Sequence, residues 1–434
     1  MFNLRGARSN KGRYLLLLGA DPLLRERAIV SALRTYPGPV FGMMESAVVN
    51  ANRVFDHVLA ANPYNAKEAL EAVEAFERET GFTPDAVVPI LELNIHVAMA
   101  IAQHYGLPTL AEESLTLARD KHTMKVAFEE AGVPCARHRL FSTLAELEEV
   151  AQELTFPVVL KPRDFAGSVG VIKVTDAADL AAAFDHCRAS LLEIAPTYDF
   201  TDGRYQVEEF VTSTHEVSIE VINYEGRRAV LAVTDKAKGA PPFFTETGQL
   251  IPSRESGNTA LRELALRACE ALLIDRGIAH VEVLMNGPDE QYVVEVAARP
   301  GGDGIMDLID RVYGYNPYDL HIAAYRRTID ELPAIPSEPE GVAAIGFLKA
   351  PTGVITEIHD VPAGPGPEIA RYVTSKVGDR SRAATSYLGR NGVIEVFEAG
   401  TSPADAEAVQ DRVTALAQEL SSELFTVIEE DIEL

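Results

Sequence analysis

The sequence contains only three cysteines, Cys135, Cys187 and Cys269, in 434 residues. Because none of them belongs to a CxxC motif, the sequence indicates neither a disulfide framework nor a zinc cluster. Apolar runs are short as well: YLLLLGA, after the basic N-terminus, is far shorter than the roughly 20 apolar residues of a membrane span. No small-residue cleavage site follows this run, so we expect no signal peptide and no membrane anchor. The expected location is the cytoplasm.

Positive charge is also scarce, since 39 Lys and Arg face 65 Asp and Glu and the net charge is -26. Such a chain repels a polyanionic backbone, which argues against non-specific nucleic-acid binding but allows a local basic groove for a small phosphate ligand. The sequence has no HExxH motif, no paired histidine spacing and no GxSxG motif, so zinc hydrolysis and serine chemistry have no support. The GADPLL turn lacks the GxGxxG spacing of a dinucleotide fingerprint.

Strands and helices alternate regularly in the first part of the chain. The run YLLLL (14–18) precedes an amphipathic stretch to about Tyr36, followed by PVFGMM, the helical AKEALEAVEAFERET and DAVVPI. This order is typical of a parallel α/β layer, which we interpret as Rossmann-like without its cofactor. With 47% hydrophobic residues, a chain of this length predicts two to four packed domains or subdomains.

The pattern changes from Asp120 onward. The helix DKHTMKVAFEEAG, the strand ARHRLF, a helix from about Thr143 and the strand PVVLKP precede a glycine-bearing loop, RDFAGSVG (163–170). Strand VIKV and another helix follow. From Tyr205 we expect long antiparallel strands, with a turn at Glu225-Gly226 and a helix from about Asn258. LPAIPSEPEG (332–341) is typical of a linker, and an α+β segment follows it.

The segment HVEVLMNGPDEQYVVEVAAR (280–299) predicts a β-hairpin with a four-residue turn at about Gly287-Pro288-Asp289-Glu290. That turn puts Glu282 opposite Glu295, and two facing carboxylates repel each other. A divalent cation between them relieves the repulsion, and hard oxygen ligands suit Mg²⁺ or Mn²⁺. The alternative is a solvated face in a shifted register. Alternation also puts Arg299 on the face of Glu295, where it would help to receive an anion.

Two further segments predict a nucleotide site. Lys161 closes the strand PVVLKP, and the small residues of the loop 163–170 let backbone amides approach phosphates closely. A plain turn is the alternative for this loop. In VEEFV (207–211), Glu208 and Glu209 lie on a strand whose backbone groups could reach an adenine edge, although paired glutamates are more often solvated.

In this order, the segments resemble the ATP-grasp superfamily, and within it the carboxylate–amine ligases of the L-amino acid ligase type. RDKHTMKVAFEEAGVP is similar to the opening of the grasp fold, FPVVLKPRDFAGSVGV to its lysine and phosphate loop, and VEEFVTSTHEVSIEV to its nucleotide hinge. HVEVLM and VVEVAARPGGD resemble the metal strands. VTDKAKGAPPFFTETGQLIPS (233–253) resembles the segment before the catalytic helix of amino-acid ligases rather than its counterpart in biotin-dependent carboxylases.

The resemblance implies an ATP-grasp fold of mixed class, α/β and α+β, in four parts. These are a Rossmann-like pre-ATP-grasp domain (1–118), a lid subdomain with its opening helix (119–205), an antiparallel-sheet subdomain with the metal and substrate site (206–331), and a C-terminal α+β domain (332–434).

The resemblance also implies roles for single residues. ATP would be bound by Lys121, Lys161 and Ser168 at its phosphates, by Glu208 and the backbone of Glu209 and Val211 at adenine, and by Glu216 at the ribose. Magnesium would be bound by Glu282 and Glu295, and Arg299 would neutralise the developing acyl phosphate. Ala297 stands where related enzymes often carry an asparagine ligand, so the number of metal ions stays open.

Other side chains are substrate-site candidates with simpler alternatives. Lys236, Lys238 and Glu246 lie in the segment expected to border the substrate pocket. His280 shares a strand face with Glu282, but a lone histidine on a strand is more often a packed, hydrogen-bonded one. For Lys121 the alternative is a surface lysine in the first turn of a helix.

These observations predict an ATP- and Mg²⁺-dependent ligase that joins a small carboxylate, an amino acid or a related acid, to an amine through an acyl phosphate and releases ADP and phosphate. Mn²⁺ is the alternative metal. The expected partners are small amino-acid-like substrates, without nucleic acid or membrane, and a homodimer is compatible with the sequence. The alternatives are another grasp reaction, in a carboxylase subunit or a formate-using transferase, and a catalytically silent ATP-binding module.

Overall fold

A computed structural model describes residues 12–20, 25–45, 54–194, 203–287, 290–362 and 368–428. Within these ranges no helix is long and apolar enough to cross a membrane.

The N-terminal part of the chain forms a four-stranded parallel sheet in the order β3-β2-β1-β4. The residues Tyr14–Leu18 are buried on both faces of the sheet, which explains the continuous apolar run and confirms the predicted parallel layer. The elements are β1 (Arg13–Leu18), α1 (Glu26–Thr35), β2 (Val40–Met44), β3 (His57–Ala60), α2 (Ala66–Thr80), β4 (Thr83–Pro89), α3 (Ile95–His104) and α4 (Glu112–Arg119).

A second, antiparallel sheet has the order β5-β8-β6-β7 and carries the predicted glycine-bearing loop between β6 and β7. The helix that opens this region begins at Lys121 because the Asp120 side chain accepts hydrogen bonds from the His122 and Thr123 N–H groups. The elements are α5 (Lys121–Glu130), β5 (His138–Phe141), α6 (Leu144–Val150), β6 (Val158–Pro162), β7 (Ile172–Val174), α7 (Leu180–Ile194) and β8 (Tyr205–Glu209).

The largest sheet is antiparallel and has eight strands in the order β13-β12-β9-β10-β11-β14-β18-β16. The predicted turn at Glu225-Gly226 is confirmed: Tyr224 pairs with Arg227, and both turn residues have positive φ, as a two-residue hairpin requires. The elements up to the segment 327–340 are β9 (His215–Tyr224), β10 (Arg227–Lys238), β11 (Glu246–Ile251), α8 (Thr259–Ala271), β12 (Arg276–Met285), β13 (Gln291–Ala297), α9 (Ile305–Tyr313) and α10 (Tyr318–Arg326).

The segment 327–340 contains no helix or strand, and the strands after it add to the same large sheet through the pair β11–β14. A small sheet in the order β17-β15-β19 lies beside them. These elements are β14 (Gly341–Leu348), β15 (Gly353–Ile358), β16 (Glu368–Val373), β17 (Arg380–Ser381), β18 (Gly392–Ala399), α11 (Ala406–Leu424) and β19 (Phe425–Ile428). Short 3₁₀ turns occur at Glu92–Asn94, Ala151–Glu153, Ala177–Asp179, Tyr387–Gly389 and Pro403–Asp405.

The hairpin of β12 and β13 pairs Glu282 with Glu295, as predicted. The four-residue turn is wrong, however, because the Asn286 N–H donates to the Glu290 C=O at 2.9 Å and leaves a shorter loop, of which Pro288 and Asp289 lie outside the described residues. Near the loop the strand register therefore differs by one residue from the predicted register. A β-bulge in β13 between Val293 and Glu295 restores the predicted pairing. The bulge turns Glu295 towards Glu282.

Candidate active site

A cavity of about 480 Å³ lies between the glycine-bearing loop and one end of the large sheet. It collects almost all of the residues that the sequence singled out: Lys121, Lys161, Ser168, Glu208, Glu209, Val211, Glu216, Lys236, Lys238, Glu246, Glu282 and Glu295. The described residues that line this first cavity do not include Arg299 or His280.

Lys161 and Glu208 form a buried ion pair at the centre of the two facing strands β6 and β8. The Lys161 Nζ lies 2.5 Å from Glu208 Oε1, and a second lysine, Lys125, lies 3.6 Å from Glu208 Oε2. Although burial favours the neutral acid, Lys125 and Lys161 lower the pKa of Glu208 to about 2. Burial lowers the pKa of Lys161 against the opposing effect of Glu208. The carboxylate therefore balances two ammonium groups that face the cavity.

Lys121 connects the glycine-bearing loop to the hairpin. Its Nζ donates to the Phe165 C=O at 2.5 Å and lies 3.2 Å from Glu295 Oε2. Burial opposes the charge, but Glu295 raises the pKa of Lys121 above its ordinary value. The side chain is buried, so its position is not that of a surface lysine in the first turn of a helix.

The glycine-bearing loop contains three residues with left-handed backbone, Gly167, Ser168 and Gly170, all with φ between 60° and 71°. A run of this kind turns backbone N–H groups towards one side, which is the arrangement of many anion-binding loops. The Ser168 hydroxyl donates weakly to the Phe244 C=O at 3.4 Å. The loop thus covers the cavity and contacts the segment before β11.

At the predicted nucleotide hinge, formed by β8 (Tyr205–Glu209) and the residues after it, fewer backbone groups are free than the sequence suggests. The Glu209 N–H donates to the Arg137 C=O at 2.9 Å, and its carboxylate contacts Arg137 and the Thr155 N–H on the outer side of the sheet. The Phe210 N–H donates to the Pro157 C=O at 2.9 Å. Glu209 and Val211 nevertheless line the cavity.

Glu282 and Glu295 each contact a lysine. Glu282 Oε1 lies 2.5 Å from the Lys236 Nζ, and Glu295 contacts Lys121 as described above. Lys236 is almost fully buried, and it also pairs with Glu246 and lies 3.4 Å from Glu216. Glu216 in addition pairs with Lys238. Repulsion between the facing carboxylates is therefore partly relieved by ammonium groups.

His280 lies on the same strand face as Glu282 but behind the cavity surface. Its Nδ1 lies 2.5 Å from Glu220 Oε1 and its Nε2 lies 3.2 Å from Glu282 Oε1. Against the effect of burial, Glu220 and Glu282 raise the pKa of His280 to about 9. The second oxygen of Glu220 accepts a hydrogen bond from the Gly301 N–H at 2.9 Å. His280 is thus packed and hydrogen-bonded, and it links Glu282 to the segment after Arg299.

Arg299 faces a buried glutamate of the N-terminal part. Its Nε lies 3.6 Å from Glu92 Oε2, just after β4. Burial raises the pKa of Glu92 even though Arg299, Arg119 and Lys121 oppose the shift. The same glutamate interacts electrostatically with Glu295, so Arg299 lies close to the hairpin that carries the facing carboxylates.

Four residues of this site were missed by the sequence reasoning: Glu92, Lys125, Glu220 and Arg390. Three had a usable signal. Glu92 follows the carboxyl end of a parallel strand, where ligand-binding residues concentrate. Lys125 lies four residues after Lys121 on one helix, and Glu220 alternates with Glu216 on one strand. Arg390, which lies 3.5 Å from Glu246, comes from the irregular segment before β18 and carried no pattern.

The donor set fits a hard divalent cation. Carboxylate oxygens of Glu216, Glu246 and Glu282 lie within 4.8 Å of one another, and Glu295 faces Glu282 across the hairpin. Lys236 contacts all three carboxylates, and Lys238, Arg390 and His280 contact one each, so a cation that binds here would replace some of these ion pairs. Oxygen ligands of this kind suit magnesium or manganese better than softer metals.

Comparison with known proteins identifies this part of the chain. Residues 154–307 match the family model of the ATP-grasp domain. The chain contains an ATP-grasp domain. The predicted resemblance is confirmed, and so is the mixed α/β fold, because the L-amino acid ligase from Bacillus licheniformis superposes with a TM-score of 0.79 over 98% of this chain and 100% of that one, at 20% identity.

Among characterised proteins, the alanine–anticapsin ligase of Bacillus subtilis is 27% identical over 280 residues, or 61% of this chain. The match spans 59% of the length of that relative. A formate-dependent phosphoribosylglycinamide formyltransferase of Alcanivorax borkumensis is 25% identical over 345 residues, 77% of this chain and 80% of that protein. The relatives that this chain matches thus include enzymes with different names and different reactions.

Proposed function

We propose that the protein is an ATP-dependent carboxylate–amine ligase that joins an amino acid or a related small acid to an amine and releases ADP and phosphate. One observation carries the proposal. Glu282 and Glu295 face each other at a cavity that is also lined by Lys121, Lys161 and a loop of left-handed backbone. Two carboxylates beside two ammonium groups and a glycine-bearing loop suit a metal–triphosphate complex.

The proposed nucleotide contacts follow from this geometry. Lys121, Lys161 and the loop around Ser168 would bind the phosphates. Adenine would lie beside Glu208, against the backbone of Glu209 and Val211. Glu216 would accept hydrogen bonds from the ribose hydroxyls. This requires the ion pair between Glu216 and Lys238 to open when the nucleotide binds.

Glu282 and Glu295 would hold magnesium, with manganese as the alternative, and Glu216 and Glu246 lie close enough to contribute. The metal, when bound, neutralises charge on the triphosphate. Lys236 would then balance the remaining carboxylates. Ala297 offers no side-chain ligand for a second ion.

Carboxylate activation requires positioning and charge neutralisation more than covalent help from the protein. The substrate carboxylate attacks the γ-phosphorus, an O–P bond forms, and ADP leaves. The amine then attacks the acyl carbon, the C–N bond forms, phosphate leaves, and the amine gives up a proton. Arg299 would lie against the charge that develops on the acyl phosphate.

The similarity to the alanine–anticapsin ligase supports an amino acid as the carboxylate, and dipeptide formation as the outcome. The formyltransferase similarity favours formate as a second candidate, since formate would be activated by the same chemistry. We propose that the four-part division predicted from the sequence holds, with boundaries near 118, 205 and 331, and that the enzyme works in the cytoplasm on small molecules, with a homodimer as a compatible state.

Hydroxylamine trapping tests this proposal. With ATP, magnesium and each of a panel of L-amino acids, formate and bicarbonate, at least one acid should yield a hydroxamate together with ADP and phosphate. Arg299→Ala should suppress the hydroxamate far more than it weakens ATP binding, whereas Arg412→Ala, which breaks an exposed ion pair on α11, should change neither. AMP and pyrophosphate as products, or ADP release without any hydroxamate, would refute the acyl-phosphate mechanism.

A further inference from the structure

A row of hydrogen-bonded groups behind the active-site cavity connects Glu282 to the segment after Arg299. Glu220 on β9 pairs directly with His280 on β12, the strand that also carries Glu282. The His280 Nδ1 lies 2.5 Å from Glu220 Oε1, and its Nε2 lies 3.2 Å from Glu282 Oε1. The Gly301 N–H donates to Glu220 Oε2 at 2.9 Å. Both oxygens of Glu220 and both ring nitrogens of His280 are therefore engaged.

The two central members of this row do not reach the cavity. Glu220 and His280 are 0% and 5% exposed, and neither lines the space around the proposed nucleotide site. Both ring nitrogens of His280 face carboxylate oxygens, which accept hydrogen bonds, so both nitrogens act as donors. The pair can therefore influence a bound metal or nucleotide only through Glu282 and the segment around Gly301.

The contacts of Glu282 are concentrated on one of its two oxygens. His280 Nε2 and Lys236 Nζ both contact Oε1, at 3.2 Å and 2.5 Å, and no described residue is hydrogen-bonded to Oε2. Lys236 lines the cavity and is shared with Glu216 and Glu246, whereas His280 contacts neither of these. A cation can therefore displace Lys236 while the hydrogen bond from His280 keeps Oε1 in place and leaves Oε2 available.

The other end of the row is closely packed. A Cβ added to Gly301 would lie 2.6 Å from Glu220 Oε1, whereas a Cβ added to Gly302 would meet nothing within 4 Å. Glu220 thus fixes the position of Gly301 both by a hydrogen bond and by direct contact. Because Gly301 follows Arg299 closely in the chain, a displacement of Glu220 would also move the segment that carries this arginine.

We propose that His280 and Glu220 are positioning residues of the metal site. His280 holds Oε1 of Glu282 so that Oε2 is left for the metal, and Glu220 holds both His280 and the segment that carries Arg299. The inference rests on the proposed function, because it requires a metal on Glu282. It adds that metal affinity depends on two residues that contact neither the metal nor the nucleotide, as is common for the hydrogen-bond partners of metal ligands.

The test measures the contribution of Mn²⁺ to nucleotide binding. Calorimetry gives the Kd of the β,γ-imido analogue of ATP without and with Mn²⁺, and the ratio of the two constants cancels effects on the nucleotide contacts alone. His280→Ala should lower this ratio about tenfold or more. His280→Gln keeps a donor near the position of Nε2 and should stay within about threefold of the wild type, whereas His280→Asn keeps only a donor near Nδ1 and should resemble His280→Ala.

A second variant acts on the far end of the row. Gly301→Ala should also lower the ratio, because its Cβ would displace the Glu220 carboxylate, and Gly302→Ala is the matched control that should leave the ratio unchanged. His321→Gln, at a histidine that is equally buried but far along the chain on α10, should reduce stability without changing the ratio.

Three results would overturn the inference. These are an unchanged ratio in His280→Ala, equal ratios in His280→Gln and His280→Asn, and equal ratios in Gly301→Ala and Gly302→Ala. If His280→Ala does not fold, the comparison of Gln with Asn decides, because a role in stability alone would not distinguish the two ring positions. A wild type whose nucleotide affinity does not respond to Mn²⁺ would instead refute the proposed metal site, since no variant could then lower the ratio.

Discussion

The buried pair of Lys161 and Glu208 couples nucleotide binding to stability. Lys161 is the proposed phosphate ligand, and it also neutralises the Glu208 carboxylate, whose other cationic partner among the described residues is Lys125. Lys161→Ala should therefore weaken ATP binding at least tenfold and also destabilise the fold. Removing one partner of a buried ion pair costs roughly 3–5 kcal/mol when the remaining charge is left uncompensated. Because Lys125 stays 3.6 Å from Glu208, we expect a smaller loss here.

A second substitution separates the two effects. Lys161→Met also removes the ammonium group but fills more of its space than Ala does, so part of the stability should return while ATP affinity stays low. Calorimetry with ATP and urea unfolding measure the two quantities, and Lys67→Ala, at an exposed lysine on α2, is the matched control. If ATP affinity recovers in the Lys161→Met variant, the Lys161 ammonium does not bind the nucleotide.

Glu295 is the residue on which the proposed metal site depends most directly. Glu295→Gln keeps the size of the side chain and its contact with Lys121 but removes a negative charge. Turnover should fall roughly a hundredfold or more, and excess magnesium should restore little of it. Glu290→Gln, in the same hairpin, should behave like the wild type. A normal rate for the Glu295 variant would mean that the facing carboxylates do not bind a catalytic metal.

Single residues were predictable where a regular element fixes their direction. Lys161 ends a strand, and Glu282 and Glu295 follow from strand alternation, so the sequence could predict that they lie together. Arg390 was not predictable, because it lies in an irregular segment whose path depends on packing between distant strands. Glu209 shows a related limit: alternation predicts its outward side chain, but only the packed structure shows that its N–H is already used.

At the scale of elements, the glycine-bearing loop contacts the C-terminal part of the chain. The Tyr387 N–H donates to the Gly167 C=O at 3.2 Å, and Arg382 pairs with Glu193 of α7. A Cβ added to Gly167 would overlap the Tyr387 ring, and the residue has a φ of +71°. Gly167→Ala should therefore displace the loop from the segment that contains Tyr387.

We expect Gly167→Ala to raise KM for ATP about tenfold and to speed hydrogen exchange at 166–170, because the displaced loop covers the phosphates less well. Tyr387→Ala in the same background removes the overlap, so part of the affinity should return, and the strained φ should retain the remainder. Gly257→Ala, where a Cβ meets nothing within 4 Å, is the control. Unchanged exchange in the Gly167 variant would separate the loop from nucleotide binding.

The β12–β13 hairpin shows how a correct pairing came from an incorrect turn. Residue types at the turn predict that the chain reverses there, but they do not determine the length of the turn to within one residue. The bulge between Val293 and Glu295 compensated for the error. A bulge leaves no clear trace in a strand of alternating apolar residues, so this feature could not be predicted.

At the scale of the whole molecule, the fold was largely predictable as a sequence of elements. Parallel and antiparallel regions follow from continuous and alternating apolar runs. The addition of β14, β18 and β16 to the large sheet was not predictable, since that pairing joins segments across an irregular stretch. A second cavity, of about 660 Å³, depends on this pairing, because β14 and β18 form part of its lining.

His321 on α10 joins the N-terminal sheet to the large sheet. The Ile278 N–H donates to its Nδ1 at 3.0 Å, and its Nε2 donates to the Pro89 C=O at 2.9 Å. Nδ1 must be unprotonated to accept, so the ring is neutral in the folded protein. Burial lowers the pKa of His321 from 6.5 to about 4.

This depressed pKa predicts how the stability of the whole molecule changes with pH. The unfolded chain binds the proton near pH 6.5 and the folded protein only near pH 4, so the stabilisation is complete above pH 6.5 and is lost as the pH falls towards 4. His321→Gln should unfold more easily than the wild type at pH 7.5, but between pH 7.5 and pH 5 this deficit should shrink by roughly 2 kcal/mol. Urea unfolding at both pH values measures the difference, with His104→Gln on α3 as the control. A deficit that stays constant would mean that His321 is protonated in the folded protein, and the hydrogen bond from Ile278 would then have to be absent.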